Sequence, residues 1–490
     1  MKSVKKAIAL ILTMLFILSV SPVAFAEETA APEAEWFTSF GIKKGSGTLE
    51  EAITNCVASG KISLLKDVDA SSTLYITKNA TIIGNGYSIT RSDENAGAIF
   101  VINNAATLTF KDVTVDGNET NFPGYVNSLI SLTSGGVVLD AGAVLTSNNA
   151  KTFNGGAIAA NAESLSAKCS ITMNEGSKIA NCTGNSAGAV YLGSNASMTI
   201  NGGTIENCKA LYDGGAVVVA TATSKLAVNN GTITGCEAST DYAGFTGSAI
   251  YAPYGTVNLA SAKITKNTNK SDFGAIFFSN ATVFAISGDT YVYDNAGSAG
   301  QSNIFVPAHA SIIVESKFTE NAKIGVTIPS YIDNTGAVDM SFINADQDLM
   351  GYVFNDEDGK TFCNIDGTIA LIKCIYVSFD AGNGNCSVKS KLYPVDKAYG
   401  ELPECDYRDG FDFLGWYTED GDLVTADTIL TADEDITLYA SWENLNKLDT
   451  NPMAVIGRFF ERIGDLMRIV FEFLESFFTG SGNADLEEIK

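Results

Sequence analysis

Gly156-Ala157-Ile158 is followed 32 residues on by Gly188-Ala189-Val190, and 27 residues after that by Gly215-Ala216-Val217. Working outward, degenerate copies stand at Gly97-Ala98-Ile99, Ser128-Leu129-Ile130, Ser248-Ala249-Ile250, Gly274-Ala275-Ile276 and Asn303-Ile304-Phe305, so the successive spacings are 31, 28, 32, 27, 33, 26 and 29. A second marker keeps the same phase, an apolar residue three before Asn or Cys. It runs Val115 to Asn118, Leu145 to Asn148, Ile179 to Cys182, Ile205 to Cys208, Ile233 to Cys236, Ile264 to Asn267, Val292 to Asn295 and Phe318 to Asn321. Two markers sharing one irregular period define a repeat.

Between the markers lie short β-branched runs such as Ser197-Met198-Thr199-Ile200 and Gly203-Thr204-Ile205, parted by Gly, Asn and Ser. That is the grammar of strands and turns. Helical repeats of similar period need two apolar stripes per unit, and none is present. About three short strands per period predict a parallel β-helix whose coils stack at roughly 4.8 Å. Variable turns account for the wandering period. The Asn and Cys positions then predict an internal ladder of Asn118, Asn148, Cys182, Cys208, Cys236, Asn267, Asn295 and Asn321. Asn amides there satisfy turn backbone, and Cys acts as a small buried hydrophobe. A metal or redox site at Cys182, Cys208 and Cys236 is disfavoured because Asn fills equivalent positions. Near the start, Thr48-Leu49-Glu50-Glu51 has capping-box spacing, and the helix it opens would cover the first coil.

Thr81-Ile82-Ile83-Gly84-Asn85-Gly86 resembles the early coils of the pectate-lyase-like superfamily. The GGAI strings, with Phe318-Thr319-Glu320-Asn321, resemble the repeats of polymorphic outer-membrane proteins. Over residues 45–330 these resemblances imply a right-handed parallel β-helix. They carry little about function, since this fold hosts lyases, hydrolases and adhesins. Residues 331–374 either finish the helix or cap it.

From Ile375 to Glu443 the grammar changes. Phe411-Asp412-Phe413-Leu414-Gly415-Trp416-Tyr417 and Ile436-Thr437-Leu438-Tyr439-Ala440-Ser441-Trp442 predict a small antiparallel sheet with an aromatic core, and Asp420-Gly421 marks a hairpin. These residues resemble the Listeria–Bacteroides repeat, or internalin B-repeat, which implies a compact β-grasp-like fold found in secreted and surface proteins of bacteria. Trp416 and Trp442 are expected in its core. Glu419, Asp420 and Asp422, like Asp433-Glu434-Asp435, lack calcium-loop spacing and read as solvated turns. A polar linker, 444–451, leads to an amphipathic helix over 452–478. Its apolar arc, with Phe459, Phe460, Phe471, Phe473, Phe477 and Phe478 on it or at its edge, needs a partner surface. Self-association or membrane-surface contact through 452–478 is the expectation.

The 490 residues hold 31 Lys plus Arg, 56 Asp plus Glu and one His, with a formal charge of −25. Such a balance argues against nucleic acid as a partner. The lone His309 argues against His-based zinc or triad chemistry. Lys2, Lys5, Lys6, the apolar run Ala7–Val20 and Ala24-Phe25-Ala26 read as a signal peptide over 1–26, so an extracellular location is expected, secreted or surface-associated, without an LPxTG wall anchor. The nine cysteines include no CxxC pair.

No residue set is assigned to catalysis, cofactor or metal. After Arg91 no Arg occurs before Arg408, which disfavours an Arg-dependent lyase; Asp112, Asp116, Glu206 and Asp213 are scattered rather than paired. The first-ranked function is therefore an adhesin-like surface protein that binds carbohydrate or host matrix through its turns, such as Asp241–Gly247. A polysaccharide-degrading hydrolase is the alternative, and a structural spacer the third reading.

Overall fold

In Ala196–Asn201 the side chains of Ala196, Met198 and Ile200 are buried, while Ser197, Thr199 and Asn201 face outward. The two-residue period of an extended chain makes one sequence serve an interior and a surface. The computed structural model describes residues 31–444, apart from 93, 123–125, 240–245, 272, 308–309, 328–340, 344–350, 357–360, 366–367, 373, 407–409 and 433. The expected signal peptide over 1–26, His309 and the expected helix over 452–478 lie outside the described residues. Strand accounts for 49% of the structure and helix for 2%, so the chain is mainly β, and a parallel β-solenoid of about nine turns forms its larger part.

One coil runs along Cys169–Asn174, the long face, then Lys178–Ala180, the first short face. It bends at Thr183–Gly184 and returns along Val190–Leu192, the second short face. Each segment pairs in parallel with its successor, at Ala196–Asn201, Thr204–Glu206, Lys209–Ala210 and Val217–Val219. The stacked coils make a 13-stranded sheet of long faces, a 20-stranded sheet containing both short faces, and a 5-stranded sheet at the bend. Between the second short face and the next long face, one coil spends eight residues (161–168) and the next only three (193–195). That difference of five equals the difference between the spacings of 32 and 27.

Strand register corrects two of the repeat markers. Ile130 pairs with Phe100, so the first copy is Ala98-Ile99-Phe100 rather than Gly97-Ala98-Ile99. Ile276 pairs with Ile304, which makes the last copy Ser302-Asn303-Ile304. The six copies between them hold their register.

The internal ladder forms from Asn148, Cys182, Cys208, Cys236, Asn267 and Asn295, all at most 1% exposed. Each follows a residue held at positive φ, namely Ser147, Asn181, Asn207, Gly235, Lys266 and Asp294, with values between 52° and 64°. That conformation turns the chain sharply at the end of the first short face. Asn267 Nδ2 donates to Asn295 Oδ1 at 2.9 Å and to the carbonyl of Ile233 at 3.1 Å, while its Oδ1 accepts the Cys236 N–H at 2.9 Å. In the thiol rungs sulfur takes the acceptor role, receiving the backbone N–H of the rung before it. Burial pushes the Cys182 and Cys236 thiols up.

Asn118 and Asn321 are not rungs. Gly117 takes the position beneath Asn148, where a β-carbon would stand 2.5 Å from the Asn148 backbone. Asn118 is displaced to the positive-φ position and donates to the Arg91 carbonyl at 3.0 Å. The bare glycine leaves room for the Arg91 side chain, fully buried, which donates to the carbonyls of Asn95 and Asn127 at 2.8 and 3.2 Å and to Asn148 Oδ1 at 3.1 Å. Burial lowers this guanidinium to about 10. At the far end Asn321 is exposed, and Asn303 from the opposite side of the coil accepts from Asn295 Nδ2 at 2.9 Å. Asp356 closes the column by accepting the Asn303 N–H and the Thr327 hydroxyl, both at 2.7 Å.

At the start, Thr48 caps the helix Leu49–Asn55 with a complete capping box, and Leu49, Ala52 and Ile53 are buried against the first coil. Ala34–Phe37 runs antiparallel to the first long-face strand, Gly60–Leu64, and Lys43–Gly47 pairs outside it as the edge. Ser341–Ile343 and Val353–Asn355 still pair in parallel with the coil before them, so the solenoid continues through residue 355 before the antiparallel hairpin Thr361–Ile365 and Thr368–Ile372.

The chain divides into two compact units between Lys373 and Cys374. In the second, five strands lie in the order Ser390–Pro394, Cys374–Asp380, Ile436–Asn444, Phe411–Tyr417, Leu423–Val424. The sheet is mixed rather than wholly antiparallel, because Val377–Asp380 and Ile436–Tyr439 pair in parallel. Trp416, 1% exposed, donates from Nε1 to the Pro403 carbonyl at 2.7 Å, and its ring packs 4.8 Å from Phe379. Trp442 lies over Gly384, where any β-carbon would meet the indole at 2.1 Å.

Candidate binding surface

On the second short face only the middle residue of each strand points away from the core. Register aligns these middle residues as Val101, Ser131, Ala159, Tyr191, Val218, Tyr251, Phe277 and Phe305. Ahead of Val101 the column begins with Tyr75, which is exposed; the next coils present small or polar groups, and aromatic rings return in the later ones. Tyr251 stacks on Phe277 at 5.4 Å and Phe277 on Phe305 at 5.7 Å, while Phe273 meets Phe305 edge-on at 5.1 Å. Phe277 and Phe305 are covered, whereas Tyr191 and Tyr251 are half-buried, and Tyr212 and Tyr254 beside them are exposed. Tyrosine outward and phenylalanine under cover is the division expected of rings that do and do not meet water.

Asp213, in the turn before Gly214, lies close enough to Tyr251 for its charge to act on that phenol. Burial raises its carboxyl above the ordinary range, offset by a hydrogen bond from Ser186. Burial also pushes up the phenols of Tyr191 and Tyr251, and at Tyr251 the charges of Asp213 and Tyr254 add to the effect. Of the loop singled out in the sequence, residues 241–245 lie outside the described residues; Thr246 is buried, and its hydroxyl donates to the Tyr212 carbonyl at 3.2 Å.

A second surface lies on the first short face, a groove of about 730 Å³ lined by Thr232, Thr234, Lys263, Tyr291, Asp289 and Asp294 among others. The Tyr291 hydroxyl donates to Asp294 at 2.7 Å. Burial and that carboxylate push the phenol up to about 12.

The four acids noted in the sequence do not converge. Asp112 sits in a turn at φ 48°, and Asp116 accepts the N–H of Asn118 at 2.7 Å. Glu206 is engaged by Lys178 at 2.9 Å. Asp116 and Glu206 share one outward column but stand three rungs apart. At coil spacing that is about 14 Å, beyond the roughly 5–9.5 Å that separates the carboxyls of glycosidases. In the second unit, Asp435 accepts the Tyr376 N–H at 2.9 Å, and the Thr418–Asp422 turn closes on itself through backbone bonds of 2.9 and 3.0 Å. Among the described residues no group of three acids, His or Cys is placed to hold a metal ion.

The tyrosine cluster was missed in the sequence because its members are 63 residues apart at the extremes, Tyr191 and Tyr254, and the outward column places Tyr191 and Tyr251 two rungs from each other. A signal existed, since both directly follow the apolar residue that ends a GGAI string. No curated protein and no solved structure matches the chain. Residues 376–441 of the second unit, however, match the family model of the Listeria–Bacteroides repeat domain, a repeat typical of surface or extracellular bacterial proteins.

Proposed function

We propose that this is a surface-associated bacterial protein that binds carbohydrate, of a cell surface or of host matrix, on the second short face of its solenoid, without degrading it. The observation that carries this reading is Tyr251 beside Asp213, with Tyr191 two rungs away in the same outward column. A sugar ring has an apolar C–H face and a rim of hydroxyls. Tyrosine offers a flat apolar face with a polar end, and the neighbouring carboxylate accepts hydroxyl hydrogen bonds. The repeat module supports the surface setting.

The test is a glycan and matrix-protein array probed with the purified chain, with reducing-sugar assay of every ligand that binds. Binding without product release is expected. The double variant Tyr191→Ala, Tyr251→Ala should lose at least tenfold in affinity, while Tyr291→Ala, in the other groove, should retain it. Absence of any glycan ligand, or binding abolished only by Tyr291→Ala, would remove this reading. One observation favours a hydrolase as the second reading, the raised carboxyl of Asp213, which is a trait of general acids. Product release abolished by Asp213→Asn would establish it in place of the first.

A further inference from the structure

Cys386 and Cys405 face each other in a two-residue antiparallel ladder, Asn385 with Asp406 and Cys386 with Cys405. Residues opposite in such a ladder have α-carbons about 4.5–5.5 Å apart, within the 4.4–6.8 Å that a disulfide spans. Cys386 is 1% exposed, and its sulfur lies 3.1 Å from the Val388 carbonyl and 3.8 Å from that of Glu404, the residue before its opposite number. The thiol therefore already lies toward the facing strand. Cys405 packs on the same core from a half-buried position, which leaves it open to a small reagent.

We propose that Cys386 and Cys405 form a redox-closable disulfide that locks the second unit. A two-residue ladder is weak by itself. Yet the segment it pins back, 387–404, includes the edge strand Ser390–Pro394 and the Pro403 carbonyl that holds Trp416. The cysteines of the solenoid interior differ, because Cys182, Cys208 and Cys236 are sealed in the ladder and occupied by its hydrogen bonds. The oxidant is a disulfide of low molecular weight or its protein equivalent. Cys405 thiolate attacks it to give a mixed disulfide and one released thiol. Cys386, losing its proton, then displaces the second thiol, so two protein thiols are oxidised as one disulfide is reduced.

The experiment equilibrates the full chain with oxidised glutathione, alkylates under denaturing conditions and maps the peptides by fragmentation mass spectrometry. A Cys386–Cys405 linked peptide that dithiothreitol removes is expected, together with a fall in the thermal midpoint of the second unit on reduction. In the double variant Cys386→Ala, Cys405→Ala that midpoint should no longer respond to reductant. Recovery of both cysteines fully alkylated, or of either joined to a different cysteine, overturns the proposal. So does a reductant response that survives in the double variant.

Discussion

Asn267 shows what a single rung of the ladder contributes. Its amide donates to the carbonyls of Ile233 and Thr265 and to Asn295, and its oxygen receives the Cys236 N–H. Asn267→Leu strands those groups without water. Each unpaired buried group costs roughly 1–3 kcal/mol, so a loss of about 3 kcal/mol is expected by chemical denaturation. Asn267→Cys should cost about 1 kcal/mol, because sulfur keeps the contact to the N–H as it does at Cys236. Equal losses for the two variants would contradict the ladder's chemistry. Asp213 is a pH probe. Its folded carboxyl is raised by burial, so the ionised form disfavours folding, and that penalty is absent below the ordinary carboxyl range and complete above the raised value. Asp213→Asn should therefore raise the thermal midpoint more at pH 7 than at pH 3.5; an offset that does not change with pH would show that burial is not the cause. At this scale the sequence revealed which residue types stack but not where the phase slips. Asn118 leaves the column because Gly117 and Arg91, 26 positions apart, exchange space. No local pattern reports that exchange.

Among the elements, strands and turns divide the work. The strands set inward spacing, and the turns absorb differences in length. Replacing 161–168 by the three-residue connection used at 193–195 should change stability by less than about 1 kcal/mol, since closure entropy varies only with the logarithm of length. The excursion does touch its neighbour, with Ala162 donating to the Ser194 carbonyl at 3.0 Å, so a larger loss would mean that it is part of the coil rather than an ornament on it. The capping box was legible because its geometry is local. Thr48→Ala should cost about 1 kcal/mol, read from the chemical denaturation of the solenoid. The tyrosine surface was only partly legible, for an equally physical reason. Outward side chains follow no hydrophobic period, so although Tyr191 and Tyr251 each follow the end of a marker, nothing in their own composition singles them out. The strand register is what lines them up on one face.

For the whole molecule, two compact units with separate apolar cores imply two cooperative transitions. Scanning calorimetry of the full chain should show both, and a chain ending at Lys373 should keep only the solenoid's. A single transition lost on truncation would mean that the units depend on each other. A solenoid also offers a growing end to any chain of its own kind, because its first strand exposes unpaired backbone groups. Here that strand is met by Ala34–Phe37 running the opposite way, and the outermost strand, Lys43–Gly47, places Lys43 and Lys44 in solvent. A second solenoid cannot continue a parallel stack across a reversed strand. The exposed Lys44, next to a Lys43 already paired with Glu35, sets a charge on the edge that a second hairpin would meet. The hairpin thus acts as a terminator of polymerisation, and without residues 31–47 these stacks should lengthen into fibres.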